Sequence, residues 1–535
     1  MQNLLNEQYT TILNPTSLKP PKASDLPEQP ERVIDPSTFR AIEVDKLFHS
    51  LDHTRTQIGS AVLMRSLQSP LQRLDLLKAK QAAVLEIESD ENVMKKIKAL
   101  VGRAKKDEKD LYDLLYGSFI GLVGSKANEL EVEGYGYGSF IKGTRLLTEL
   151  VEGAEAVGSV SSPYLEGILD NLRDFGKSRA HALAKGPIYR TEKGIIPQFE
   201  RRWYTPAIRF NPSLFKPVGL TLFVVGLLLA AEFVPLVMEI VAEIASFLWL
   251  FLFPVALLYI PIVGGFDRDG CIYPTRDYLR RAPEVHRALD SLGQLDELLS
   301  MIEHRSAFKH PMVMPSLKGS KQHMLKLTEV RNPILAKENE AYVGNDINLE
   351  KARLTLITGP NSGGKTAFCK TLAQTQLMAQ IGGYVPAESA EMAVADRIYY
   401  QTPEISQLED GEGRFGTELK RTKAIFVNTT PESLVIMDEL SEGTTHEEKI
   451  EISRTILDGF CQRGNSTLLI THNHALVDEY KDHALANPRQ VEFKGEQPTY
   501  RVVSGISRVS HAGRVARKIG FAKEDIDRLL KGTPS

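Results

Sequence analysis

Apolar residues recur at helical spacing through the first half of the chain, after a polar start. Residues 1–38 are rich in Pro and polar residues, a composition typical of an extended or disordered arm. From Phe39 to about Ser213, leucine and alanine return every three or four positions, for example between Leu71 and Leu85. The pattern predicts a helical domain over residues 39–213.

The centre of the chain is apolar on every helical face. Residues 217–266 hold only three charged residues, all of them glutamates, and residues 244–266 hold none. As a helix, this last stretch would be about 35 Å long, enough to cross a hydrocarbon core of about 30 Å. We therefore expect a transmembrane helical hairpin over residues 214–266, with a membrane contact through residues 217–266. The alternative is a buried helical hairpin in a soluble core.

Basic residues flank the apolar stretch on both sides, whereas its connecting turn has none. The arginines and lysines in question are Arg201, Arg202, Arg209, Lys216, Arg268, Arg276, Arg280 and Arg281. By the positive-inside rule, both outer ends lie in the cytoplasm. The sequence thus predicts a cytoplasmic domain anchored in the inner or plasma membrane, or a fully cytoplasmic protein if the hairpin is a soluble core.

A Gly-rich turn after an apolar strand carries the clearest chemistry. Residues 359–366 match the pattern G-x-x-x-x-G-K-[ST], in which backbone N–H groups wrap phosphates. Lys365 would reach the β- and γ-phosphates, and the Thr366 hydroxyl would bind Mg²⁺. The predicted phosphate-binding residues are Gly359, Pro360, Asn361, Ser362, Gly363, Gly364, Lys365 and Thr366.

Two further apolar strands end in residues suited to nucleotide hydrolysis. Asp438 and Glu439 end the first, and in a P-loop enzyme they would hold Mg²⁺ and activate the attacking water. His472 ends the second and would sense the γ-phosphate. The alternatives are acids favoured by a helix N-terminus and a surface imidazole. We predict an ATPase that uses ATP and Mg²⁺, with Glu439, Lys365 and His472 as catalytic residues.

These motifs resemble those of the MutS family of ATPases. The similar segments are TGPNSGGKT (358–366), MDELSEGTTHEE (437–448), THNHAL (471–476) and, more weakly, residues 47–71 at the start of the helical domain. The resemblance implies an α + α/β fold. A MutS-core-like helical domain with the apolar hairpin would be followed by return lever helices over 267–322 and an ABC-type P-loop ATPase domain over 323–535. It also points to Arg331–Pro333 as the region near the adenine.

The resemblance further implies a homodimer in which a signature segment completes the partner's site. That segment is residues 409–422, with Gly413, Phe415 and Glu418 at its family positions. This chain departs from the family's Ser-Thr-Phe-Met pattern, since Gly413 and Arg414 stand where hydroxyl residues fall. Slower or differently regulated hydrolysis is the expected consequence.

Two functions follow from this resemblance. The first is a MutS-like, ATP-hydrolysing dimer that binds DNA and is related to mismatch repair but anchored in the membrane, with the hairpin in place of the family's DNA-gripping clamp. No mismatch-reading motif occurs in the first forty residues. The second is a nucleotide-driven switch for a membrane or protein partner, without DNA recognition.

Composition does little to separate these two functions. The chain has 535 residues, long enough for two or three domains, and its 65 Lys and Arg against 68 Asp and Glu give no overall basic field for nucleic acid. Its three cysteines are widely spaced and form no metal-binding pattern, which suits a reducing compartment.

Overall fold

The computed structural model describes residues 33–120, 124–126, 129–213, 261–350, 352–360, 363–403, 413–440, 446–482, 486–495, 497–507, 519–521 and 523–530. The described residues belong to two units. The helical unit holds Thr54–Val62 and Ile87–Glu297, and the sheet unit holds Pro27–His53, Leu63–Glu86 and Leu298–Ser535.

Helices make up most of the described chain outside the sheets. Their bounds are α1 Pro36–Ala41, α2 Val44–Leu51, α3 Gln57–Gln68, α4 Leu74–Ser89, α5 Glu91–Tyr116, α6 Tyr137–Val157, α7 Pro163–Gly176, α8 Arg179–Lys185, α9 Tyr273–Arg281, α10 Pro283–Ala307, α11 Lys365–Gln380, α12 Gly413–Asn428, α13 His446–Arg463, α14 His474–Asp482 and α15 Lys523–Leu530. A π-helical turn, Arg268–Ile272, precedes α9.

The strands are shorter, and most of them follow the helical first half of the chain. They are β1 Gly124–Lys126, β2 Glu129–Glu131, β3 Ile188–Thr191, β4 Gly194–Pro197, β5 Ile208–Arg209, β6 Ser316–Lys318, β7 Leu325–Val330, β8 Asn345–Asn348, β9 Leu354–Thr358, β10 Ser389–Ala393, β11 Ile398–Gln401, β12 Leu434–Asp438, β13 Ser466–Ile470, β14 Ala486–Lys494 and β15 Gln497–Ser504.

Two long helices, α5 and α6, form the centre of the helical unit. The Asp90 side chain caps α5 by accepting the N–H groups of Asn92 and Val93 at 2.9 and 3.1 Å. The helices approach closely where Gly153 faces Leu100, since a Cβ atom at position 153 would overlap Leu100 Cδ1. Helices α2 to α8 lie within residues 39–213, and the antiparallel sheet β4-β3-β5 lies in the same stretch.

Two buried carboxyl groups cap the start of α3 within the helical unit. Asp296 accepts the backbone N–H of Thr56 at 2.8 Å, and Glu108 accepts those of Gln57 and Ile58, both at 2.9 Å. Burial raises the pKa of both carboxyl groups, although these hydrogen bonds act in the opposite direction. The helix N-terminus is thus satisfied by these two distant carboxyl groups together with a local cap, since Thr56 Oγ1 accepts the N–H of Gly59 at 3.0 Å.

A six-stranded sheet forms the core of the sheet unit, in the order β11-β12-β13-β9-β14-β15. The strands from β11 to β14 pair in parallel, and β15 returns antiparallel to β14. Every residue of β9 and β13 is buried, as expected for parallel strands covered on both faces. The carboxyl ends of β9, β12 and β13 therefore meet at one edge, where ligands bind in such sheets. A smaller sheet has the order β6-β10-β7-β8.

The N-terminal segment, residues 33–43, lies against the edge of the six-stranded sheet. Val33 and Ile34 are only 2% and 3% exposed, and the N–H of Ile398 in β11 donates to Val33 O at 2.7 Å. The predicted arm at residues 1–38 is thus folded at its end, because apolar Val33 and Ile34 are buried and supply an acceptor to the sheet edge.

The membrane prediction requires a correction. Within the described ranges, no helix is both long and apolar enough to cross a bilayer. The longest, α5, has 26 residues but carries the charged stretch RAKKDEKD, which a hydrocarbon core would not accept. Residues 214–260, which include most of the predicted hairpin, lie outside the described residues. We therefore correct the prediction of a membrane-anchored location, which no described helix supports.

Candidate active site

The Gly-rich turn after β9 closes around its own lysine. Gly359 and Gly364 have φ values of 132° and 85°, which residues other than glycine rarely adopt. Lys365 opens α11, is 2% exposed, and donates from Nζ to Gly359 O at 2.6 Å. The turn thus holds a buried ammonium group inside a loop of backbone. Asn361 and Ser362 lie outside the described residues.

The environment of Lys365 favours an anionic ligand. Burial lowers the pKa of its ammonium group, while Glu439 and Asp438 act in the opposite direction. A phosphate bound in the loop would add negative charge beside the ammonium and stabilise its charged form.

Thr366 and Asp438 bring two oxygen ligands together. The Thr366 hydroxyl, in the first turn of α11, donates to Asp438 Oδ2 at 2.9 Å at the end of β12. Among the described residues, no group of three or more His, Cys, Asp or Glu side chains is placed to hold a metal. An ion here would take its remaining ligands from phosphate and water, as Mg²⁺ does. The pair therefore fits the predicted magnesium site.

Glu439 directly follows Asp438 in a strained backbone conformation. Its φ is 63°, in the left-handed region, where a residue other than glycine costs about 1–3 kcal/mol. The conformation is fixed by a hydrogen bond from its N–H to Ile470 O at 3.0 Å, and the side chain is 10% exposed. Such strain persists only where the surroundings impose it, which is common at active sites.

Two basic side chains flank the Glu439 carboxylate. His472 Nε2 lies 3.6 Å from Oε1, and Lys449 Nζ lies 3.6 Å from Oε2. Burial lowers the pKa of His472, as do the neighbouring charges of Lys365, His474 and Lys449. At neutral pH the imidazole is therefore uncharged and can donate or accept a hydrogen bond at the reaction site.

A pocket of about 280 Å³ opens beside the P-loop helix α11. Its lining combines apolar and aromatic side chains with a few polar groups, a composition typical of small-molecule sites. The lining residues are Val330, Leu335, Asn339, Ala341, Tyr342, Val343, Asn345, Gly364, Ala367, Phe368, Thr371 and Tyr500. Because Gly364 belongs to the phosphate loop, a nucleotide with its phosphates in the loop can place its base in this pocket.

Tyr500 is a candidate residue that the sequence did not predict. It lies in β15 with φ 59°, is 53% exposed as a residue, and lines the pocket. Asn345 fixes this strained residue by donating to Tyr500 O at 3.0 Å and accepting the N–H of Val502 at 2.6 Å. No motif marks Tyr500, since it meets the P-loop only through the pairing of the final hairpin with the sheet.

The region predicted to lie near the adenine is close to this pocket. Val330 and Leu335, on either side of Arg331–Pro333, line it. Asn332 is 3% exposed and donates to Thr371 Oγ1 and Gln374 Oε1 on α11 at 3.0 and 2.9 Å. The segment is thus attached to the P-loop helix.

The predicted signature residues occupy the start of α12. Phe415 is partly buried, whereas Glu418 is 6% exposed. The Thr422 hydroxyl donates to the carbonyl oxygen of Glu418 at 2.9 Å. The same hydroxyl accepts a hydrogen bond from Gln401 Nε2 in β11, also at 2.9 Å. The Arg414 side chain lies outside the part of the chain that the structure describes, so the effect of the altered positions stays a prediction.

Comparison with known proteins finds similarity to MutS proteins. Residues 355–531 match the model of MutS domain V. The chain is 29% identical over 260 residues to the DNA mismatch repair protein MutS of Prochlorococcus marinus strain MIT 9301, covering 46% of this chain and 28% of that protein.

Two further relatives align over a similar share. The chain is 32% identical over 212 residues to the MutS of Chloroflexus aurantiacus strain ATCC 29366, with 38% of this chain and 21% of the relative aligned. It is 35% identical over 243 residues to the DNA mismatch repair protein msh3 of Aspergillus fumigatus strain CBS 144.89, with 43% and 21% aligned. The chain thus spans less than a third of the length of these relatives.

Proposed function

Because the chain belongs to the MutS family, we propose that it binds ATP with Mg²⁺ and hydrolyses ATP to ADP and phosphate. The observation that carries this proposal is the convergence of Lys365, Thr366, Asp438, Glu439 and His472 at one edge of the sheet. Three separate strands, β9, β12 and β13, deliver these side chains. Such convergence is difficult to explain by packing alone.

In this proposal, the loop and the pocket bind different parts of ATP. Backbone N–H groups of residues 359–366 surround the phosphates, and Lys365 exchanges Gly359 O for phosphate oxygens. Thr366 and Asp438 hold Mg²⁺, which when bound neutralises charge on the phosphates. The adenine enters the 280 Å³ pocket and stacks against the Tyr500 ring.

The hydrolytic step uses Glu439 and His472. Glu439 orients a water molecule and accepts its proton as the water oxygen forms a bond to the γ-phosphorus. The bond from that phosphorus to the bridging oxygen breaks, so that ADP and inorganic phosphate are the products. His472, uncharged at neutral pH, donates a hydrogen bond to the γ-phosphate from the same edge.

We further propose a homodimer that acts on DNA in a pathway related to mismatch repair. The support is that the three relatives compared above are DNA mismatch repair proteins. Residues 323–535 would form the ATPase domain. Residues 39–213 and 267–322 would form the core and lever, and α12 would present the signature segment to the partner.

Magnesium dependence tests the proposed site directly. Thr366→Ala removes the hydroxyl that lies 2.9 Å from Asp438 Oδ2. We expect the Mg²⁺ concentration for half-maximal ATP turnover to rise about 10-fold or more, measured as phosphate release over a Mg²⁺ titration. Thr366→Ser keeps the oxygen and serves as the matched control. Wild-type magnesium dependence in Thr366→Ala would rule out this pair as the metal site.

A further inference from the structure

A lysine outside the predicted motifs contacts the proposed catalytic carboxylate. Lys449 lies in α13, the helix that follows β12, and its Nζ is 3.6 Å from Glu439 Oε2. The Lys449 side chain is 21% exposed and that of Glu439 is 10% exposed. The pair is therefore largely withdrawn from solvent, where a charge interaction is stronger than at the surface.

The two oxygens of Glu439 face two different basic side chains. Oε2 faces Lys449, and Oε1 faces His472 Nε2 at 3.6 Å. The carboxylate is thus contacted from two elements, α13 and the loop after β13. The Glu439 backbone, at φ 63°, is also held by the bond from its N–H to Ile470 O. The side chain is thus constrained at both ends.

We propose that Lys449 is a positioning residue that holds Oε2 of Glu439 and so directs Oε1 to the attacking water. This inference rests on the proposed ATP hydrolysis. Lys365 already occupies the phosphate loop through Gly359 O, so the structure gives Lys449 a separate task. Without Lys449, the carboxylate would lose the contact that fixes its rotation.

The test compares Lys449→Met with Lys449→Arg in the full chain. We expect Lys449→Met to lower kcat for ATP by about 10- to 100-fold, since small misplacements of a reacting group reduce rates by up to about 100-fold. KM for ATP and the affinity for a fluorescent ADP should change less than 2-fold. Lys449→Arg, which keeps the charge, should recover most of kcat. Lys481→Met, an exposed lysine of α14, is the control.

A binding measurement separates positioning from a purely structural role. Lys449→Met should weaken binding of ADP with aluminium fluoride, which resembles the transition state, by the same factor as kcat. In the Glu439→Gln background, Lys449→Met should have no further effect on this affinity, because the two residues act as a unit. The inference would be overturned if Lys449→Met lost ADP affinity by the same factor as kcat and also lost thermal stability, and if Lys449→Arg recovered none of these losses.

The remaining outcomes distinguish the two proposals. If the wild type hydrolyses ATP and Lys449→Met matches it in kcat and in aluminium fluoride binding, the role of Lys449 is refuted and the ATPase stands. If the wild type binds neither ATP nor ADP with aluminium fluoride, the proposed function itself is refuted, and the role of Lys449 with it.

Discussion

At the scale of single residues, the site depends on two strained positions that the surroundings hold in place. Glu439 and Tyr500 have φ values of 63° and 59°, and each is tied by backbone hydrogen bonds. The first would act on water and the second on the base. Backbone strain of this kind persists only where the surroundings impose it, and it is common at active sites.

Tyr500 provides a prediction about the base pocket. Tyr500→Ala removes the ring at the edge of the pocket and should weaken ATP binding by about 2- to 10-fold, since an aromatic pair contributes about 0.5–1.5 kcal/mol. Titration with a fluorescent ATP analogue measures this loss. Tyr500→Phe keeps the ring and should bind as the wild type does. Unchanged affinity in Tyr500→Ala would place the base elsewhere.

The two parts of the site differ in how far the sequence could predict them. Lys365 and Thr366 are neighbours in one short motif, and Asp438 and Glu439 are neighbours in another, so the sequence shows each pair directly. Tyr500 lies 134 positions after Thr366 and reaches the pocket through the β14–β15 hairpin. Such a contact is set by strand pairing rather than by local sequence, so a single sequence carries no signal for it.

At the scale of elements, the N-terminal segment 33–43 connects the sheet edge to two helices of the proposed site. Asp35 pairs with Arg421 of α12 at 2.6 Å, and the carbonyl of Ile42 accepts Gln374 Nε2 of α11 at 2.8 Å. A composition rich in Pro and polar residues predicted an arm here. The last residues fold because Val33 and Ile34 are apolar, which an average over 38 positions does not reveal.

The capping of α3 gives a prediction about pH. Burial raises the folded-state pKa of Asp296 and Glu108 above the ordinary carboxyl range. The contribution of these two groups to the free energy of unfolding is therefore largest at pH values below that range. It is lost as the pH rises through the raised pKa values. In Asp296→Asn, the loss of stability of the helical unit with rising pH should therefore be smaller. Amide hydrogen exchange of residues 54–62 from pH 4 to 7, corrected for intrinsic rates, measures this loss of stability.

The matched control for this experiment is Glu192→Gln, an exposed carboxyl group of the same unit. It should follow the wild-type pH dependence. If Asp296→Asn also followed the wild type, the buried carboxyl would not be the source of the pH effect.

At the scale of the whole molecule, the chain combines a helical unit with a sheet unit that carries Lys365, Thr366, Asp438, Glu439 and His472. The resemblance of the sequence to MutS ATPases is confirmed by the match of residues 355–531 to MutS domain V. The apolar stretch predicted a membrane location, which is corrected because no described helix could cross a bilayer. Length and hydropathy were sufficient to suggest a span but do not determine where a segment lies.

Coupling to DNA is the prediction at this scale. We expect ATP turnover to increase with homoduplex, mismatched or branched DNA at about 50 mM salt and the increase to fade by about 200 mM, because phosphate contacts release counterions. Phosphate release with each DNA at the two salt concentrations measures it. Turnover indifferent to every DNA would contradict DNA as the partner and favour a nucleotide-driven switch for a protein.

The most direct test of the proposed ATPase is the identity of the nucleotide retained by Glu439→Gln. After incubation with radiolabelled ATP and Mg²⁺ and rapid gel filtration, the wild type should retain mainly ADP. Glu439→Gln should retain intact ATP, with turnover lower by about 100- to 10,000-fold, the usual contribution of a general base. ADP formed by Glu439→Gln at the wild-type rate would contradict the assignment of this carboxylate as the base that activates water.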